Sequence, residues 1–453
     1  MAFLSRILAA GALAAGLLAS GFAQNPGQPL TLQDAVSLAL ARNPEVLVAQ
    51  EQLEELKGRI TEVRSGAFPQ ISADAYGLRV RDPSILNSSS FDKVPKEFRD
   101  ALVPVPANLF DMGFVVKQPI FTAGKVRTAI RLAEETQREK MASLEAVRQR
   151  VTFRVFQAFH DLLLAEENLA VVRETYEQRK KHLEQARNRF SNGVATEIDV
   201  LRSEVNVANT EPELIRAQNR VKLARSALNN LIVVDLEAPT QIVGKLDYRA
   251  WAVSDLVQIQ SHAMEARPEI MAARRQLQEA RYMLSLSRAE NKLSIDMEGR
   301  WGYSVREPKN FFNKEFSRWN VTFNFRLPFY DSGRKAGLVA QGLSRVRAAE
   351  HGLAQLENNV RLEIKSAYED MQSSVKAIAA AKLSVTQAER VLTMMQANYQ
   401  YGAATTLDVV DSQTALTMAR NAQISATYDY EMAKARLRLA AGSPILDQEV
   451  NQP

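Results

Sequence analysis

The sequence predicts an α+β membrane protein, a long α-helical coiled-coil barrel joined to a transmembrane β-barrel, with four strands per chain and two tandem structural repeats. Three observations predict it. Residues 119–202 and 328–411 align without a gap at an offset of 209: Pro119-Ile120-Phe121-Thr122-Ala123-Gly124-Lys125 falls on Pro328-Phe329-Tyr330-Asp331-Ser332-Gly333-Arg334, and Phe190 through Asp199 falls on Tyr399 through Asp408. Four short segments alternate apolar and polar residues with a period of two. Each pair of such segments precedes a helix-forming stretch too long for an ordinary globular core.

The N-terminus reads as a secretory signal: Arg6, an apolar run from Ile7 to Leu18, and small residues at Gly21 and Ala23, with cleavage after Ala23. The run is short for a spanning helix, and no later stretch supplies 18 consecutive apolar residues. Asn43-Pro44-Glu45 opens the first repeat, and Arg267-Pro268-Glu269 opens the second at an offset of 224. The strands are expected at Gln70–Val80, Phe110–Ile120, Ile295–Val305 and Ser317–Leu327. In the last, Trp319, Val321, Phe323, Phe325 and Leu327 alternate with Asn320, Thr322, Asn324 and Arg326. Each run is about the length a tilted strand needs to cross a bilayer, apolar on one face and charged on the other.

Lys125–Asn192 contains no Gly or Pro and is rich in strong helix formers. A heptad seam runs through Val155, Leu162, Leu169, Tyr176, Leu183 and Phe190, beside Val151, Ala158, Ala165, Val172, Arg179 and Ala186. The second copy repeats it at Ile364, Met371, Ile378, Val385, Leu392 and Tyr399. This spacing predicts supercoiled rods on the order of 100 Å long. Each rod closes at a glycine turn, Asn192-Gly193 and Tyr401-Gly402, and a return helix starts at Thr196 and Thr405 with Asp199 and Asp408 completing capping boxes. Pro212 is expected to kink or restart the first return helix. The boundaries read as a signal peptide at 1–23, a first repeat at 24–232, a connector at 233–253, a second repeat at 254–442 and a tail at 443–453. Residues 81–109 form a long strand-to-strand loop that is expected to face the exterior.

Four strands cannot close a barrel. Two chains would give eight strands, about the size that side chains fill, whereas three would give twelve and leave a lumen. The chain therefore has to assemble, and an open channel favours a trimer.

Composition excludes several classes. With no Cys, there is no disulfide, thiolate nucleophile or lipid-acylation site. The net charge of +5 is spread along helical faces among Glu residues, which reads as solvated surface and leaves no nucleic-acid partner. The four His residues (His160, His182, His262, His351) lie in helical surroundings without metal-ligand spacing, and no catalytic or cofactor fingerprint occurs. No enzyme activity, cofactor or metal is expected; Met394-Met395 reads as packing rather than a copper site. The competing class is an exported coiled-coil structural or adaptor protein without a membrane barrel.

These motifs, with Phe68-Pro69-Gln70-Ile71 at the first strand and the turns Gly193-Val194-Ala195-Thr196 and Gly402-Ala403-Ala404-Thr405, resemble the TolC-type outer membrane efflux proteins of Gram-negative bacteria. The resemblance covers nearly all of the mature chain. It implies a homotrimer with a 12-stranded barrel in outer membrane lipid and a helical tunnel in the periplasm. It also implies a role as exit duct of an efflux or type I secretion system, with a periplasmic adaptor (membrane fusion) protein and an inner-membrane transporter as partners. Carried over by position, Asp408 and Asp411 correspond to the acidic pair of the family's periplasmic constriction, and Gly193–Thr196 and Gly402–Thr405 to its adaptor-contact tips. Tyr399 and Asp199 match the residues that brace the closed state. The arginine that normally joins them falls at Ala404, so Arg202 is expected to substitute for it.

Overall fold

The computed structural model describes residues 29–84, 93–98, 106–251 and 255–446. The expected signal peptide, most of the long loop tip and the end of the tail lie outside the described residues. The elements follow the duplication one for one. The first copy comprises α1 (Leu32–Arg42), α2 (Pro44–Ser65), β1 (Gln70–Val80), β2 (Ala107–Phe121), α3 (Lys125–Ser191) and α4 (Glu197–Ile232). The second comprises α5 (Leu256–Ala266), α6 (Pro268–Arg288), β3 (Ser294–Val305), β4 (Ser317–Arg326), α7 (Arg334–Gln400) and α8 (Thr406–Ala440). Both rods, α3 and α7, have 67 residues. Among the described residues no helix is long and apolar enough to cross a membrane.

The chain divides into two compact units, each drawing on both repeats. One unit, residues 51–142 and 271–355, holds the sheet. Its strands run in the order β1-β2-β3-β4, antiparallel throughout, so β1 and β4 are open edges. Register puts Ala73, Phe114, Trp301 and Trp319 in one cross-strand row and Ile71, Val116, Gly299 and Val321 in the next. The opposite face carries Lys117 across from Glu298, and Asp74, Gly113, Gly302 and Arg318 in a single row. The apolar face is widely exposed, with Trp319 at 74% and Phe325 at 69%.

On the polar face Asp111, only 2% exposed, takes Arg300 on Oδ1 at 3.0 Å and Arg318 on Oδ2 at 2.8 Å, joining three strands through one carboxylate. Beside it the backbones of β2 and β3 approach so closely that a Cβ on Gly302 would stand 2.2 Å from the Met112 carbonyl oxygen; only glycine fits there. At the strand-to-helix junctions, Ala123-Gly124 and Ser332-Gly333 all take positive φ, which explains why Gly recurs at this place in both copies. The first residues of the two rods meet at a single carboxylate, because Lys125 and Arg334 both pair with Glu290, at 3.0 and 2.8 Å.

The other unit, residues 1–50, 143–270 and 356–453, holds both helical hairpins. The predicted seams are buried at Val155 and Leu162 (both 0%), at Ile364 (0%) and at Met371 (1%), with Ala367 and Ala381 at their sides. Nearer the turn the seam of α3 departs from expectation: Phe190 is 46% exposed, and Ala186 of the companion line is buried together with Thr175 and His182, which the seam did not include. There α3 packs on the second hairpin through polar groups, such as the Thr175 hydroxyl 3.0 Å from that of Thr417, which apolar periodicity does not register. Helix α4 runs unbroken from Glu197 to Ile232 with Pro212 inside it, so of the two expected outcomes the chain does not restart there. A single ring and lost donor are tolerated because the turns on either side keep their own hydrogen bonds and packing; Ala217 and Val221 beyond it are buried.

The motifs that open the two repeats form equivalent ties. The Asn43 amide donates to the Leu231 carbonyl at 3.3 Å, and Arg267 donates to the Ala440 carbonyl at 3.4 Å, a position 209 residues on. Beside these, Glu45 pairs with Arg154, while Arg267 pairs with Glu363, the counterpart of Arg154, both at 2.5 Å. The rod residue changes sign between the copies, and the second head answers it with Arg267, which stands where the first has Asn43.

Candidate functional site

The predicted site residues gather at the two hairpin turns, within one compact unit. The turns are built alike. Gly193 and Gly402 both have φ of +73°. Their following residues close the rods, Val194 N–H donating to Arg189 O and Ala403 N–H to Asn398 O, each at 2.9 Å. Thr196 and Thr405 then cap the return helices. Each hydroxyl donates to the carboxylate three residues on, Asp199 and Asp408 respectively, at 2.7 Å, and accepts from that residue's amide. These hydrogen bonds hold both carboxyls below the usual Asp range, so both remain ionised at neutral pH.

Between the turns the hairpins touch at Tyr399, which is 8% exposed. The His182 ring lies against it with centroids 5.4 Å apart at 52°. The Arg189 guanidinium sits 4.7 Å from the ring centroid and donates to the Tyr399 carbonyl at 3.1 Å. Thr406, 3% exposed, reaches the Tyr399 hydroxyl at 3.5 Å, and its side chain also helps to hold the Asp199 carboxyl below its usual range, so the two hairpins approach here.

Asp199 and Tyr399 are thus brought together through Thr406, and the turn residues lie at the tips, with Val194 63% exposed. Asp408 and Asp411 are exposed one helical turn apart on α8. Arg202 is exposed and makes no ion pair with Asp199 among the described residues; its charge only adds to the lowering of the Asp199 pKa. At the turns the cation that joins the hairpins is Arg189, and farther along the rods Arg420 of α8 pairs with Glu174 of α3 at 2.9 Å. Sequence reasoning missed Arg189 because a basic residue in the last turn of a helix is already explained by the macrodipole. It missed His182 and Thr406 because neither has a like residue 209 positions away: Val391 and Glu197 occupy those places.

The sequence profile of the outer membrane efflux protein family matches residues 35–232 and 259–443. The chain is 23% identical over 426 residues to outer membrane protein TolC of Vibrio cholerae, covering 92% of each protein. It is 24% identical over 310 residues to the alkaline protease secretion protein AprF of Pseudomonas aeruginosa, covering 66% of this chain and 62% of that protein. The fold resembles the Campylobacter jejuni CmeC outer membrane channel with a TM-score of 0.78 at 19% identity, over 91% of this chain and 85% of that one. With the family profile spanning both copies, and the duplicated strands, rods and turns as their physical counterpart, the chain belongs to the outer membrane efflux protein family and is a channel protein of the Gram-negative outer membrane.

Proposed function

We propose that three copies assemble into a duct that receives cargo at the hairpin turns and releases it through the β-barrel. A periplasmic adaptor would bind the turns, and an inner-membrane transporter would supply the energy. The observation that carries the trimer is the sheet: it has two open edges and an exposed apolar face. Such edges are untenable in lipid unless strands of further copies pair with them. A second apolar surface supports it, the stripe Ile198, Leu201, Val205, Ile215 and Leu223 along α4, each more than half exposed in the single chain. The division into repeats at 24–232 and 254–442, with a connector at 233–253, belongs to the same reading: each repeat contributes one strand pair and one hairpin.

Asp411 has no capping task, unlike Asp408, and its counterpart in the first copy is Arg202. In a trimer the two aspartates would ring the mouth with six carboxylates, and that ring would favour cations. In planar bilayers the purified protein should give discrete cation-selective steps blocked by multivalent cations, and Asp411→Asn should weaken the block at least several-fold. Unchanged selectivity and block in that variant would remove the ring from the proposal and leave the duct.

The adaptor contact rests on the small tip residues, Gly193, Gly402 and Ala403 exposed and Ala195 half-buried beside them. Ala403→Trp should abolish export while leaving the oligomer intact on a native gel. Normal export would limit these residues to closing the turns.

A further inference from the structure

Toward the turns the contact between the hairpins leaves several buried polar atoms unpaired. Buried and without partners are Nε2 of His182, Nε of Arg179 and Arg189, and Oε1 of Gln413 on α8. A buried polar atom left unpaired is a cost that a static tie has no reason to bear. His182 is the group among them that can change charge near neutral pH. It is 5% exposed, its ring is held against Tyr399 of α7, and its Nε2 meets no acceptor.

We propose that His182 is a proton-operated latch: neutral, it packs the first hairpin against the second, and protonated, it drives the two apart at the turns. Among the described residues Asp199 on α4 is the charge that acts on it, and that carboxylate is already engaged by Thr196. On its own helix Arg179 and Arg189 lie one turn before and two turns after it. From α7 it meets the Tyr399 ring, whose hydroxyl is reached by the uncharged Thr406 of α8. An imidazolium here would carry an N–H into a buried space without an acceptor, offset only by that engaged carboxylate. Moving to water relieves all of this.

Burial holds the His182 pKa below the usual histidine value, and the Asp199 charge only partly opposes it. The closed contact is therefore fully stable above the exposed-histidine pKa of about 6.5 and weakens as pH falls below it. Each unit between the closed and exposed pKa values shifts the closed-to-open ratio about tenfold at acid pH. The geometry stands apart from the duct reading, which the latch needs only for its consequence, a mouth that loosens when the periplasm is acidified.

The test uses the full-length protein, whose lack of Cys makes site-directed labelling clean. Spin labels at Val194→Cys and Ala403→Cys, diluted with unlabelled protein so that only intrachain pairs are read, report the separation of the turns by pulsed electron resonance. The wild-type distribution should lengthen between pH 7.5 and 5.0, and His182→Gln should keep the neutral-pH distribution throughout. As a second variant, Asp199→Asn leaves Thr196 as the N-cap with an oxygen still able to accept from it and removes the nearby anion, which lowers the closed-state pKa further and should enlarge the share of long distances at pH 5.0. No lengthening in the wild type, a His182→Gln response that tracks it, or no larger share of long distances in Asp199→Asn would each overturn the latch. Because no conductance is measured, failure here and failure of the channel reading are separate results.

Discussion

Replacing Arg300 and Arg318 together with Gln should prevent the sheet from folding stably in lipid or detergent. Both guanidinium groups are spent on the one carboxylate of Asp111, which is 2% exposed, from two different strands. Stripping a buried charge of its partners costs about 3–5 kcal/mol, and breaking the pair leaves the carboxylate with no compensation of equal strength. The two arginines should not weigh equally. The Arg318 side chain is 48% exposed, against 21% for Arg300, so Arg318→Gln alone should be mild and Arg300→Gln the larger single effect. The measurement is the fraction of protein that regains protease resistance on refolding. Adding Asp111→Asn to the double variant should restore most of the loss, since the charge that demanded the partners is gone. A triple variant no better than the double would mean that the arginines act through shape or the close Gly113–Gly302 approach rather than through charge.

The second large effect is expected at the turns. Tyr399→Ala removes the ring that His182 and Arg189 both contact and the hydroxyl that Thr406 reaches, leaving only the bond from Arg189 to the backbone carbonyl at this position. Truncating a buried aromatic costs about 3–5 kcal/mol. Much of that should fall on the contact between hairpins, because each hairpin keeps its own capping box and seam. Basal single-channel conductance should rise severalfold with the oligomer intact. Tyr399→Phe, which keeps the ring but loses the hydroxyl, should give a much smaller rise. Equal effects from the two would assign the brace to the Thr406 hydrogen bond, and no effect from either would remove the brace from this contact.

Much of the architecture was legible because duplication makes each weak signal count twice. The glycines at 124 and 333, or at 193 and 402, are ordinary singly; paired at one offset they mark two junctions and two turns, and all four take positive φ. The capping threonines Thr196 and Thr405 were legible for the same reason. What the sequence hid lies where the copies differ. His182, Arg189 and Thr406 act between hairpins, so the repeat gives them no like counterpart, and polar residues on a buried face look like solvated ones to a periodicity argument. Phe190 shows the converse error: it continues an apolar heptad, yet the chain leaves it 46% exposed because the inter-hairpin contact runs through the polar line instead. Pro212 does not restart the helix, since local propensity yields to packing on both sides.

The reversed ion pairs at the heads of the repeats amount to a code for self-recognition. Two halves with the same elements in the same order face an assembly problem, because each opening motif could dock on the wrong rod. In the native arrangement Glu45 meets Arg154 and Arg267 meets Glu363. Exchange the rods, and Glu45, standing where Glu269 does, would come beside Glu363 with Asn43 in the place of the arginine that answers that carboxylate. The second head is less particular, since it would still offer Glu269 to Arg154. Discrimination therefore lies in the first head, which gains an ion pair on its own rod and meets an unanswered carboxylate on the other. A sign change at one rod position, with one arginine to answer it, is enough to let half of a doubled sequence tell its own rod from the other.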